Sequence, residues 1–172
     1  MRSLVVYESS FGNTQRVART IADVLAAEGE VKVVSVDDAL PLLDGLDLLV
    51  VGAPTHVHGL SSRMSRKAAL EQQRRDGGVG IGVRGWLEEL PPDELPPVAV
   101  FDTRANKSEL LVGSAAQKIA KRLRRRGYRL AAEPESFFVD GTPGPLADGE
   151  LERAEEWGNM LANEVTRPAV MI

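Results

Sequence analysis

The chain has 172 residues, 43% of them hydrophobic and 27% charged, with 21 Lys plus Arg against 25 Asp plus Glu. That length is enough to bury the core of one domain, the composition favours neither a disordered nor a membrane class, and a formal charge of -4 is too mild to point to nucleic acid or anionic lipid as the main partner. The absence of cysteine excludes a disulfide framework, a thiolate metal site and a cysteine nucleophile together, so redox chemistry needs a bound cofactor.

In chain order, Leu4-Val5-Val6-Tyr7 is a short β-rich run followed by the turn-rich stretch Glu8 to Asn13, which predicts a strand and then a loop. From Thr14 onward Val17, Ile21, Val24 and Leu25 recur at helical spacing, and Gly29 closes the pattern. Val31 to Val36 reads as a second strand. Leu46 to Val51, apolar almost throughout, reads as a third strand buried on both faces. Gly52-Ala53-Pro54-Thr55 ends it, and the charged stretch Ser62 to Arg75 predicts a surface helix. Gly77 to Gly82 interrupts, and a short helix around Trp86 to Leu90 stops at Pro91-Pro92. Val98-Ala99-Val100-Phe101 is the fourth strand. Ser114 caps a helix with Ala116, Ile119 and Leu123 on its apolar stripe and Gly127 at its end. An extended segment follows through Phe137-Phe138-Val139, and a last helix carries Leu151, Ala154, Trp157 and Leu161 on one face. This order predicts an α/β fold, a doubly wound sheet of five parallel strands, as a single domain over residues 1–172. The N-terminus lacks an apolar stretch of signal-peptide length, and no apolar run approaches the roughly 20 residues that span a bilayer. The expectation is a cytoplasmic protein with neither membrane nor nucleic acid as partner.

A doubly wound sheet binds ligands at the carboxyl ends of its strands, so the loops after strands one, three and four matter most. The first, Ser9-Ser10-Phe11-Gly12-Asn13-Thr14, offers hydroxyls, one side-chain amide and a run of backbone N–H groups at a helix N-terminus. The helix dipole and the unpaired first-turn N–H groups suit an anion, and Gly12 lets the backbone approach it closely. The loop holds no lysine or arginine, which fits a terminal monophosphate on neutral donors rather than a nucleoside triphosphate. Helix capping by Ser and Asn is the alternative reading. The second loop, Gly52-Ala53-Pro54-Thr55-His56-Val57-His58-Gly59, is rigid at Pro54 and open at Gly59, a surface against which a flat ring can lie. The third, Asp102-Thr103-Arg104-Ala105-Asn106, offers polar groups to the edge of a heterocycle, or else is a solvated connection.

Taken together, Ser9 to Thr14, Gly52 to Gly59 and Phe101-Asp102-Thr103-Arg104 resemble the three FMN loops of the flavodoxin family, in its short-chain type, and the resemblance spans nearly the whole chain. It implies a flavodoxin-like fold with bound FMN. Ser9, Ser10, Phe11, Gly12, Asn13 and Thr14 would form the phosphate loop; Pro54, Thr55, His56, Val57, His58 and Gly59 would flank the isoalloxazine; Asp102, Thr103 and Arg104 would approach its pyrimidine edge. Phe11 stands where flavodoxins commonly carry Thr or Ser, which removes one hydroxyl. The aromatic residues that sandwich the flavin in electron carriers have no counterpart in the ring-binding loops, where only imidazoles are available to stack. The strong acidity usual in those carriers is missing too. The function implied is electron transfer by an FMN flavoprotein with a redox partner protein. Two alternatives stay open: an FMN-dependent NAD(P)H:quinone-type oxidoreductase, and a flavodoxin-fold protein that has lost its flavin.

Other signals carry less. Gly80-Ile81-Gly82-Val83-Arg84-Gly85 matches the dinucleotide fingerprint by letter but follows a charged, helix-like stretch instead of a strand. His56 and His58, the only histidines, lack a cysteine or nearby carboxylate to complete a metal set. The basic run Lys121 to Arg126 reads as a solvated helix end complementing the dipole, with an acidic docking partner as the alternative.

Overall fold

Apolar runs become strands and helical-spacing stretches become helices in the computed structural model, which describes residues 1–56, 59–73, 78–92, 95–141 and 143–166. The elements are β1 (Arg2–Tyr7), α1 (Asn13–Leu25), β2 (Glu30–Ser35), β3 (Leu48–Pro54), α2 (Arg63–Gln72), α3 (Gly82–Glu89), β4 (Val98–Ala105), α4 (Glu109–Val112), α5 (Ala115–Arg125), β5 (Glu135–Val139) and α6 (Glu150–Thr166). The strands form one five-stranded parallel sheet in the order β2-β1-β3-β4-β5, the doubly wound topology expected. The chain steps from β1 outward to β2, then crosses back to β3 on the other side. The strand order therefore reverses between β1 and β3, and a crevice opens at their carboxyl ends.

Alternating side chains of the central strands enter two separate layers. Val6, Val51 and Val100 pack against Trp86 and Leu87 of α3 and against Ile119 and Leu123 of α5. Val5, Val50 and Phe101 pack against Val17 and Ile21 of α1 and Trp157 and Leu161 of α6. In this second layer Phe101, Phe137 and Trp157 meet edge to face with centroids 5.8, 6.1 and 6.2 Å apart, the arrangement that ring quadrupoles favour. Gly52, opposite Phe101 in the β3–β4 register, makes room for it: a Cβ there would lie 2.1 Å from the ring.

Several boundaries differ from the sequence expectation. β3 starts at Leu48, because Asp47 leaves the apolar run to accept the Arg2 N–H at 2.7 Å. α2 begins after Ser62, whose side chain forms a capping box with Ser65, and ends at Gln72; Arg74, Arg75 and Gly77 lie outside the described residues. α3 begins at Gly82, ahead of Trp86, because the buried Glu8 carboxylate accepts the Val83 N–H at 2.9 Å and supplies a cap that the local sequence lacks. β4 runs on to Ala105, and the four-residue α4 was not expected. Among the described residues no helix is long and apolar enough to cross a membrane.

Candidate functional site at the β1–β3 crevice

The loop from Ser9 to Gly12 turns the chain from β1 into α1. Gly12 sits at φ 90°, in the left-handed region where a side chain costs roughly 1–2 kcal/mol, and a Cβ at this position would meet nothing within 4 Å. Ser9 Oγ accepts from the Gly12 and Gln15 N–H groups at 3.1 and 3.3 Å, so this hydroxyl holds the loop's shape. The N–H groups of Ser10, Phe11, Asn13 and Thr14 have no acceptor among the described residues. They lie around the N-terminus of α1, where the dipole adds to their preference for an anion.

This loop forms one end of a cavity of about 460 Å³, within the roughly 300–1,000 Å³ usual for small-molecule sites. Thr14 Oγ1 and Thr103 Oγ1 are 2.7 Å apart in its buried floor, tying α1 to β4. Pro54, Thr55 and His56 form one wall, and Thr103, Arg104 and Ala105 continue it. His56 exchanges two 2.7 Å backbone hydrogen bonds with Gly59, and its Nε2 is 3.5 Å from Ser10 Oγ, so the first and second loops touch. Burial lowers the His56 pKa; the Glu8 carboxylate opposes that shift and the Arg66 guanidinium adds to it. Val57 and His58 lie outside the described residues.

Two of the expected ring contacts have other partners in the structure. Asp102 is fully buried on the α5 side of the sheet, where its Oδ2 accepts from Ser114 Oγ at 2.7 Å, from the Ala116 N–H at 3.0 Å and from Thr55 Oγ1 at 3.0 Å. It anchors a helix, because β4 continues past Phe101 and the strand period turns residue 102 inward. Thr55 is drawn into the same cluster, its Oγ1 accepting the Ala115 N–H at 2.9 Å. Arg104 lines the cavity, but its guanidinium is bound elsewhere. Nε donates to Ser136 Oγ at 3.1 Å, Nη1 donates to the Lys107 carbonyl at 2.8 Å, and the group lies 5.1 Å over the Phe138 ring.

Comparison with known proteins places this architecture. The family described as Flavodoxin domain matches residues 4–70, a stretch that contains the Ser9 to Thr14 loop and both strands of the crevice. A flavodoxin from the domain Archaea superposes with a TM-score of 0.67 at 19% identity, over 97% of this chain and 100% of that one. Flavodoxin 1 from Bacillus cereus gives a TM-score of 0.69 at 19% identity, over 95% and 98%. The chain has the flavodoxin fold. A flavodoxin, WrbA-like protein from Agrobacterium tumefaciens is also similar, with a TM-score of 0.56 at 19% identity over 95% and 96%. No curated protein matches the sequence. The family match over residues 4–70 and these structures bear out the flavodoxin-like fold that the resemblance implied.

In this flavodoxin fold the structure adds cavity residues that the loop motifs did not identify. The loop after β5 joins the site: Val139, Gly141 and Pro143 line the cavity, and Asn13 Nδ2 donates to the Pro143 carbonyl at 2.7 Å. Its signal was available in Gly141, Pro143, Gly144 and Pro145, a turn-rich run directly after a strand. Leu111 and Val112 of α4 close another side. Gln73, just past α2, donates from Nε2 to the Ser10 carbonyl and so braces the first loop. The dinucleotide-like glycines are structural. The Gly80 carbonyl accepts from Arg66 Nε and Nη2 at 3.2 and 2.9 Å, and the start of α3 is capped by the protein's own Glu8 carboxylate.

Proposed function

We propose that this flavodoxin-fold chain binds FMN in the β1–β3 crevice and works as an electron-transfer flavoprotein. The observation that carries the reading is the loop at one end of the cavity, where amides without an acceptor among the described residues and the N-terminus of α1 surround the open space beside Gly12. These groups fit a phosphate. The Ser10 hydroxyl and the amides of Ser10, Phe11, Asn13 and Thr14 would hold it, while Ser9 and Thr14 keep the loop and floor in shape. A flat ring system fits the rest of the cavity, between Pro54 to His56 on one wall, Thr103 to Ala105 beside it, and the apolar Leu111 and Val112. FMN supplies a centre that takes up and releases one or two electrons. His56, kept neutral by burial, offers a hydrogen-bonding ring nitrogen at neutral pH rather than a charge. Asp102 takes no part in these contacts, because its carboxylate already holds α5.

Ser10→Ala tests the phosphate assignment. It removes a half-buried hydroxyl whose one hydrogen-bond partner among the described residues is His56, at a long 3.5 Å. Losing a hydrogen bond to a charged group costs about 1.5 kcal/mol, so FMN titration should show roughly tenfold weaker binding. The melting temperature of the flavin-free protein should barely move. Equal losses with and without FMN would assign Ser10 to capping instead.

A further inference from the structure

Next to the cavity, α4 exposes two leucines, Leu110 at 95% and Leu111 at 68%. Leu111 lines the cavity, and Leu110 lines a groove of about 760 Å³ along α5, together with Gln117, Lys118, Lys121, Arg124 and Arg125. Helix α5 carries Lys118, Lys121, Arg122, Arg124 and Arg125 and no acidic residue, within a chain of net charge -4.

The helix dipole accounts for part of this pattern, since cations in the last turn complement it. That covers Arg122, Arg124 and Arg125, and two of these also face acidic side chains: Arg122 lies 3.8 Å from Glu88 and Arg124 lies 3.6 Å from Glu133. Lys118 and Lys121 stand mid-helix, beyond the reach of the dipole. Neither they nor Arg125 have an acidic partner among the described residues. The spacing 118, 121, 125 places the three like charges on one face, which costs helix stability. The stem of Lys118 packs near Gly59, so this face continues into the second loop of the site.

We propose that α4 and the Lys118–Arg125 stripe of α5 form a docking surface for an acidic redox protein. Leu110 and Leu111 form its apolar end and the lysines and arginines of α5 its charged flank, which joins apolar burial to charge complementarity. The positive stripe attracts a negatively charged partner to the α5 face, whose Lys118 end adjoins the second loop of the site. Two exposed leucines, Leu110 at the head of the groove and Leu111 beside it at the cavity, favour a protein surface over a small anion, which gains nothing from them. Electron exchange across this face rests on the FMN reading; docking itself does not require the flavin.

The probe is a plant-type [2Fe–2S] ferredoxin, a small acidic redox protein, titrated calorimetrically into the full chain with and without FMN. Basic cytochrome c serves as the opposite-charge control. The ferredoxin should bind, and roughly tenfold more weakly at about 200 mM than at about 20 mM salt. Lys121→Glu with Arg125→Glu should weaken it at least roughly tenfold. Leu110→Ser should weaken it while leaving the salt dependence as in wild type. Both variants alter exposed positions outside the cavity and should keep wild-type FMN affinity. The proposal is overturned if ferredoxin does not bind, if charge reversal leaves its affinity unchanged, or if cytochrome c binds equally well. Sedimentation that shows a dimer abolished by the charge reversal would assign the face to a second copy and also overturn it. Failure of FMN to bind while the docking results hold would reject the flavin reading alone.

Discussion

At the residue scale, His56 links the protein's acid behaviour to its site. Burial resists charging the imidazole, so the folded protein takes up this proton at lower pH than the unfolded chain, whose histidines titrate near 6.5. As pH falls through that value, the unfolded state binds more protons and stability is lost. The loss stops accumulating once the pH is below the depressed folded value, and above about 6.5 the group contributes nothing. Asp37, in the same neighbourhood, has a pKa raised by burial first and by Glu8 second, so it acts with opposite sign at lower pH. Urea denaturation at about pH 7.5 and pH 5.5 should therefore show wild type losing more stability on acidification than His56→Gln. Parallel losses in the two proteins would place His56 in solvent. The histidines were visible in the sequence, but the burial that tunes His56 comes from loops that are distant in the chain.

At the scale of elements, Asp102 shows what the sequence could and could not display. An Asp-Thr-Arg run after an apolar strand looks like a loop that reads a ligand, whereas the strand continues and its alternation turns Asp102 beneath α5. The donors it serves come from Thr55 after β3 and from Ser114 and Ala116 at the start of α5, distant from Asp102 in the chain, so no local pattern announced them. Asp102→Ala leaves those donors without their acceptor in a buried place, and should cost about 3 kcal/mol by chemical denaturation. A loss below about 1 kcal/mol would show that the donors find other acceptors. The start of α3 was hidden for a similar reason, since its cap is the Glu8 carboxylate at the end of β1. α4 is too short for periodicity to reveal it. By contrast, α1, α5 and the buried strands were legible, because helical spacing and unbroken apolar runs are local properties.

At the scale of the molecule, the sheet order fixes where chemistry can happen. The reversal between β1 and β3 opens the crevice, and the loops after β1, β3, β4 and β5 converge on it. The shape of the first, a glycine and hydroxyls directly before a helix, was readable from the sequence as suited to an anion. The β5 loop, the α4 wall and the diversion of Arg104 to Ser136 and Lys107 required the tertiary structure. The central claim is that the Ser9 to Thr14 loop holds the phosphate of FMN, and paired titration of the purified protein with FMN and riboflavin tests it most directly. Several charge-assisted hydrogen bonds, each worth about 1.5–3 kcal/mol, are available only to FMN, so it should bind at least roughly a hundredfold more tightly. Equal affinity for the two flavins, or no binding of either at micromolar concentration, would contradict the account.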